Sequence, residues 1–188
     1  GDTGGDDFLT VDNTSGLVVA DITFDGGGET LADGIRVIGL LSASTIYPPD
    51  AATSGDAVVT VVDGASLQTI VTTDFEAVDF DTFGTLTLVT AGSEDAVTLT
   101  AGRDAQTDTL DAVVISGTSD GVAFEDAHVR NVLSLVLDLA TNDGGAADDT
   151  LTVTNGSLDA APGLTSFIVQ TGNGSDTSMF SNPLSSDA

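Results

Sequence analysis

The chain has 188 residues and a formal net charge of −27, with 30 Asp plus Glu set against three Arg, no Lys and one His. That imbalance excludes nucleic acid and anionic membrane surfaces as partners on electrostatic grounds, while a hydrophobic content of 40% excludes bulk disorder and leaves material for one substantial core. The absence of Cys removes disulfides and thiolate metal sites, and no apolar run reaches the roughly 18 residues that a membrane helix needs.

Four of the 30 acids are glutamates, Glu29, Glu76, Glu94 and Glu125, which leaves 26 aspartates. Aspartate suits turns and cation ligation better than helices. The first residues, Gly1-Asp2-Thr3-Gly4-Gly5-Asp6-Asp7, read as a turn that opens in the middle of a repeat and not as a signal peptide. Phe8 to Val11 then alternates as a strand. Residues 42 to 54, with Tyr47-Pro48-Pro49, read as a loop leaving the body, because proline cannot feed a β-ladder. Short β-branched strands are predicted at Val58 to Val62, Thr85 to Thr90, Val97 to Thr100, Val113 to Ile115 and Thr150 to Thr154, nearly all bounded by Gly, Asp, Asn or Ser. His128 to Ala140 fits helical spacing through Val129, Val132, Leu133, Val136, Leu137 and Ala140, yet Leu133, Leu135, Leu137 and Leu139 alternate, and the β-rich surroundings favour a strand. Thr171 to Ala188 reads as a polar tail or a junction to a following repeat.

A quasi-repeat runs through these elements. Its mark is an acid leading into an apolar strand: Asp7-Phe8-Leu9, Glu29-Thr30-Leu31, Asp56-Ala57-Val58, Asp95-Ala96-Val97, Asp120-Gly121-Val122 and Asp149-Thr150-Leu151, with weaker marks at Asp74 and Asp176. The spacing is roughly 18 to 29 residues, the length of one coil of a solenoid. Longer echoes reinforce it, since Glu94-Asp95-Ala96-Val97-Thr98-Leu99-Thr100 resembles Asp148-Asp149-Thr150-Leu151-Thr152-Val153-Thr154, and both resemble Asp6-Asp7-Phe8-Leu9-Thr10-Val11. A turn-then-strand unit cannot bury its apolar face alone, whereas stacked copies share a continuous core. The expected fold is therefore all-β, a right-handed parallel β-helix (β-solenoid) of roughly eight coils over residues 1–170, with a β-sandwich as the alternative.

The turns resemble the hemolysin-type (RTX) calcium-binding β-roll and the large secreted repeat adhesins of bacteria, whose nonapeptide is G-G-x-G-x-D-x-U-x with U apolar. Gly1-Asp2-Thr3-Gly4-Gly5-Asp6-Asp7-Phe8 departs from it at the second glycine, and Gly144-Gly145-Ala146-Ala147-Asp148-Asp149-Thr150-Leu151 carries Ala147 in place of the fourth. Thr171-Gly172-Asn173-Gly174-Ser175-Asp176-Thr177-Ser178 lacks the first glycine and the apolar residue. The resemblance implies Asp6, Asp149 and Asp176 as calcium ligands. Independently of it, hard cations want clustered oxygens, and the densest acid sets are Asp6 with Asp7, Asp79 with Asp81, and Asp143 with Asp148 and Asp149.

Enzymatic signals are weak. Gly117-Thr118-Ser119-Asp120-Gly121 matches G-x-S-x-G, but the segment after it reads as a strand rather than the helix of a nucleophile elbow, and the one histidine, His128, lies only nine residues on. Paired carboxylates for glycoside cleavage occur everywhere in so acidic a chain and select nothing. His128, with no second His, is not expected to ligate a transition metal. Asn13, Asn155 and Asn173 head glycosylation sequons. The expectation is a non-enzymatic extracellular or cell-surface module, structural or adhesive, stabilised by calcium and self-associating as a fibre, a surface layer or a segment of a giant repeat protein, with a glycan or cell surface as a further partner. The alternative is a calcium-stabilised module of a secreted polysaccharide-active protein.

Overall fold

A computed structural model describes residues 7–27, 33–49, 55–145 and 147–181. The strands are β1 (Phe8–Asp12), β2 (Ile22–Asp25), β3 (Gly34–Ile38), β4 (Ser44–Tyr47), β5 (Ala57–Asp63), β6 (Ser66–Thr73) and β7 (Ala77–Val89). They continue with β8 (Asp95–Arg103), β9 (Asp111–Ser119), β10 (Val122–Asp138), β11 (Thr150–Val153), β12 (Ser166–Gln170) and β13 (Thr177–Phe180). Among the described residues the chain is all-β; the one helical element is a 3₁₀ turn at Leu158–Ala160.

All thirteen strands belong to one mixed sheet, built on the long parallel pair β7 and β10. Both strands bend where Thr82 (φ 65°) and Asn131 (φ 52°) stand at the same register in left-handed conformation. The bend splits the sheet into two arms. The first arm runs β1, β3, the leading half of β7, the leading half of β10, β9, β8, β11, β13. The second runs β2, β6, β5, β4, the trailing halves of β7 and β10, then β12. In the first arm every strand points the same way except β9, and in the second every strand except β5. Each arm thus holds one antiparallel strand, introduced by the hairpins β8–β9 and β5–β6.

Alternation explains which side chains turn inward. Val59 and Val61 of β5, Val97 and Leu99 of β8 and Leu151 and Val153 of β11 are buried while their neighbours face outward. At the bend the alternation breaks. Phe80 and Phe83 are both buried, as are Val129 and Val132, so the inward step is three residues rather than two, and Leu133 stays 38% exposed. The arms face each other across one apolar core, with Tyr47 of β4 against Phe80 of β7 at 5.5 Å between ring centroids and Phe80 against Phe83 at 6.3 Å. Gly39 makes room for this packing, since a Cβ there would lie 2.2 Å from the Phe83 ring. A buried amide pair also ties the arms: Asn13, just after β1, donates to Gln68 of β6 at 2.8 Å, and Gln68 donates back at 3.2 Å.

Two boundaries differ from the sequence reading. Within the segment expected to leave the body as a loop, Ser44–Tyr47 forms β4, because Thr45 and Tyr47 turn into the core and the strand pairs with β7 ahead of the prolines. Within the expected polar tail, Thr177–Phe180 forms β13 and pairs in parallel with β11.

Candidate functional site

The parallel pairing aligns the acids that precede the strands. Phe8, Gly34, Ala77 and Asp126 share one register, so the preceding residues Asp7, Asp33, Glu76 and Glu125 form a row across the leading edge of the first arm. Beyond β9 a second row forms, with Ala96, Thr150 and Thr177 in register and Asp95, Asp149 and Asp176 preceding them; Ser116 of β9 stands opposite both Thr98 and the Glu125–Asp126 bulge, so this row lies three residues before the level of the first. Carboxylates take over backbone pairing here. The Asp7 N–H donates to Asp33 Oδ1 at 2.5 Å and the Asp33 N–H to Glu76 Oε2 at 2.6 Å. The Asp95 N–H donates to Asp149 Oδ1 and the Asp149 N–H to Asp176 Oδ1, each at 3.0 Å. Adjacent strands lie ~4.8 Å apart, so each row stacks like charges at close range.

The crowding is greatest around β8 and β11. Asp95 and Asp149 are each 2% exposed. Asp95 Oδ2 accepts from the Thr90 hydroxyl at 2.6 Å, but Asp95 Oδ1, Asp149 Oδ2 and Asp143 Oδ1 are buried and accept no hydrogen bond. The Ser119 hydroxyl lies near enough to favour the charged form of Asp95 without reaching hydrogen-bond geometry to that oxygen. Burial first, then the charges of Asp95, Asp176 and Asp143, push Asp149 up to about 6 against the opposing bond from the Asp95 N–H. Burial also raises Asp95, with Asp120 and Asp143 adding to it, and it is the largest cause of the rise at Glu76. A groove of about 260 Å³ opens beside these residues, with Glu94, Asp95, Asp120 and Asp148 in its walls.

Aspartates on the outward face of the same arm are treated differently. Arg36 of β3 reaches Asp81 of β7 at 2.7 Å, Arg130 of β10 reaches it at 3.7 Å, and Asn131 donates to it at 2.7 Å. Burial pushes Asp81 up, but the bonds from Asn131, Arg36 and Thr82 and the charge of Arg130 hold it below the usual carboxylate range. The loop after β8 folds over this face. Its Asp104 accepts from the Leu110, Thr109 and Thr107 N–H groups and the Thr107 hydroxyl, which outweigh burial and bring it down to about 2. Asp79 accepts the Ala105 and Gln106 N–H groups, although burial still raises it. His128 Nδ1 bonds the Arg103 carbonyl beside them.

Of the residues singled out from sequence, Asp7, Asp149 and Asp176 stand in the acid rows, while Asp143 and Asp148 sit in the turn before β11, holding the Asn173 and Ser175 N–H groups. Asp79 and Asp81 go instead to the loop amides and the arginines. Asp6 lies outside the described residues. Among the described residues no three His, Cys, Asp or Glu side chains form a ready-made metal group. Sequence reasoning passed over Asp33, Glu76 and Asp95 as ligands, although Asp95 was marked as the start of a repeat. The G-x-S-x-G segment is a hairpin: Ser119 pairs with Val122 across Asp120 (φ 49°) and Gly121 (φ 79°), the two positive-φ residues of a type I′ turn. Gly117 is needed because a Cβ there would lie 2.2 Å from the Ala96 carbonyl oxygen. Asn13 is fully buried against Gln68 and unsuited to carry a glycan, whereas Asn155 and Asn173 are exposed. No family model matches the chain, and no curated protein or solved structure does so either.

Proposed function

We propose that the chain is a solenoid-type structural or adhesive module, working outside the cell, that self-associates by continuing its strand ladders and is stabilised by calcium. The observation carrying this reading is the state of the outermost strands. Among the described residues β1, β2, β12 and β13 each pair on one side only. Such edges are templates for further strands, and at one end they present Ile168, Met179 and Phe180, 44%, 50% and 55% exposed, with Phe167 and Phe180 in edge contact at 6.5 Å.

Parallel pairing supports the solenoid over the sandwich, whose sheets are antiparallel. Successive first-arm strands advance by 26 residues from Phe8 to Gly34 and by 27 from Thr150 to Thr177, which fits a coil repeat. Longer steps coincide with the hairpins β5–β6 and β8–β9, inserted between coils. The net charge of −27 opposes association of like chains, so cation uptake and assembly are linked: each copy added brings another row of acids.

Sedimentation and electron microscopy of the full chain, with calcium and with chelator, test the reading. Concentration-dependent assemblies in calcium that disperse in chelator are expected, and Met179→Lys with Phe180→Lys suppresses them by charging the edge strand. A strictly monomeric particle at high concentration with calcium present overturns it.

A further inference from the structure

Carboxylate oxygens shut away from both water and donors occur singly at Asp33 Oδ2 and as a group around β8 and β11. Three of them, Asp95 Oδ1, Asp143 Oδ1 and Asp149 Oδ2, lie buried and unpartnered on the turns that lead into β8 and β11. Two belong to side chains that are 2% exposed. Hydrogen bonds fix the other oxygen of each carboxylate: Thr90 holds Asp95, the Asp95 N–H holds Asp149, and the Asn173 N–H holds Asp143. The free oxygens are therefore not idle surface groups able to turn to solvent.

No arginine or histidine reaches these carboxylates; the ion pairs of Arg36, Arg103 and Arg130 all go to Asp81, Asp104 and Asp111. What the cluster lacks is a positive charge with several coordination positions. A hard divalent cation supplies that, since calcium takes six to eight oxygens in flexible geometry and tolerates carboxylates from separate turns. The groove beside them, lined by Glu94, Asp95, Asp120 and Asp148 among small neutral residues, gives such an ion an approach whose charged groups are all acidic.

We propose that Asp95, Asp143 and Asp149 form a calcium site that clamps β8 to β11, with the acidic groove as its mouth. As folded, the three side chains form no ready-made metal group among the described residues; each would pivot about its hydrogen-bonded oxygen to bring the free one onto the ion, so uptake tightens the junction between the β8–β9 hairpin and the strands that follow it. This inference rests on the calcium-stabilised reading above and assigns that role to named residues, of which Asp95 comes from the structure rather than from any sequence motif.

Calorimetric calcium titration of the full chain, paired with melting in calcium and in chelator, tests it. Asn keeps a side-chain oxygen for the backbone bond but loses the charge, so Asp149→Asn and Asp95→Asn are expected to weaken calcium binding at least about tenfold. Asp149→Asn melts higher than the parent in chelator, because a crowded charge is gone, and gains little from calcium. Asp21→Asn, an exposed control, behaves as the parent. Should Asp149→Asn fail to fold, Asp143→Asn, in the turn outside the row, reads the same site. Unchanged calcium affinity in the Asp95 and Asp149 variants overturns the site while leaving calcium-dependent assembly standing. No calcium uptake by the parent overturns both the site and the calcium part of the proposed function.

Discussion

Two sets of buried aspartates on one arm of this sheet meet opposite fates. Asp81 lies under a folded-over loop and Asp104 within it, and both are surrounded by donors and arginines, so each is held below the ordinary carboxylate range. Asp95 and Asp149 are as well buried, but their neighbours are more acids, and both are raised. Burial raises every one of the four; what differs is whether compensation comes from within the chain. The first set is complete as folded, whereas the second calls for a proton or a cation from outside.

The sharpest way to break the contrast is to strip compensation from the completed set. Arg36→Ala leaves Asp81 buried with the longer Arg130 contact as its one remaining arginine, and a loss of about 3 kcal/mol is expected in urea unfolding. Asp104→Ala removes the acceptor for three backbone N–H groups and a hydroxyl, with an expected cost of about 2 kcal/mol and earlier proteolysis of the 104–110 loop.

Lowering the pH separates the sets without mutation. A folded pKa above the unfolded one penalises the native state at high pH, so the Asp149 penalty, with its value of about 6, is relieved as pH falls through 6 toward 3.8. The depressed groups act the other way: the stability they add is present above 3.8 and is lost as pH falls toward the Asp104 value of about 2. In chelator the melting temperature should therefore rise from pH 7 to a maximum between about 4 and 6 and fall below that. A melting temperature that falls steadily from pH 7 downward would contradict the assignment. The smallest expected effect is at the bend. Thr82 is β-branched in left-handed conformation, and Thr82→Asn, the residue that β10 uses at the same register, should stabilise by about 0.5 kcal/mol in the same unfolding assay.

Sequence echo was a good guide to parallel neighbours. The Asp95-Ala96-Val97-Thr98-Leu99 and Asp149-Thr150-Leu151-Thr152-Val153 copies lie side by side in register, as β8 and β11. The strands read at Val58 to Val62 and Val113 to Ile115 are present as β5 and β9, but their antiparallel setting went unrecognised because local alternation carries no pairing direction. The strand favoured over a helix at His128 to Ala140 is present as the trailing part of β10, with Leu135 and Leu137 inward as the alternation has them, but the left-handed Asn131 inserts a three-residue inward step that buries Val129 and Val132 and leaves Leu133 exposed. Asp33 escaped notice although Asp33-Gly34-Ile35 has the form of the marked Asp120-Gly121-Val122, and only the register with Phe8 and Ala77 puts it in the row. The fate of Asp79 and Asp81 turns on partners far off in sequence, Arg36 being 45 residues from Asp81.

Two tight hairpins, β5–β6 and β9–β10, also bear on how such a chain finds its fold. Parallel neighbours in this sheet are separated by 26 residues or more, and closing those loops is slow. β5–β6 turns through Gly64 and Ala65, and β9–β10 through Asp120 and Gly121, so their partners meet within a few residues. Hairpins of this kind form in microseconds. The β9–β10 hairpin supplies one strand of the β7–β10 pair and β5–β6 lies a single strand away from it, so together they give the long-range ladders a local edge on which to grow, from the middle of the sheet outward.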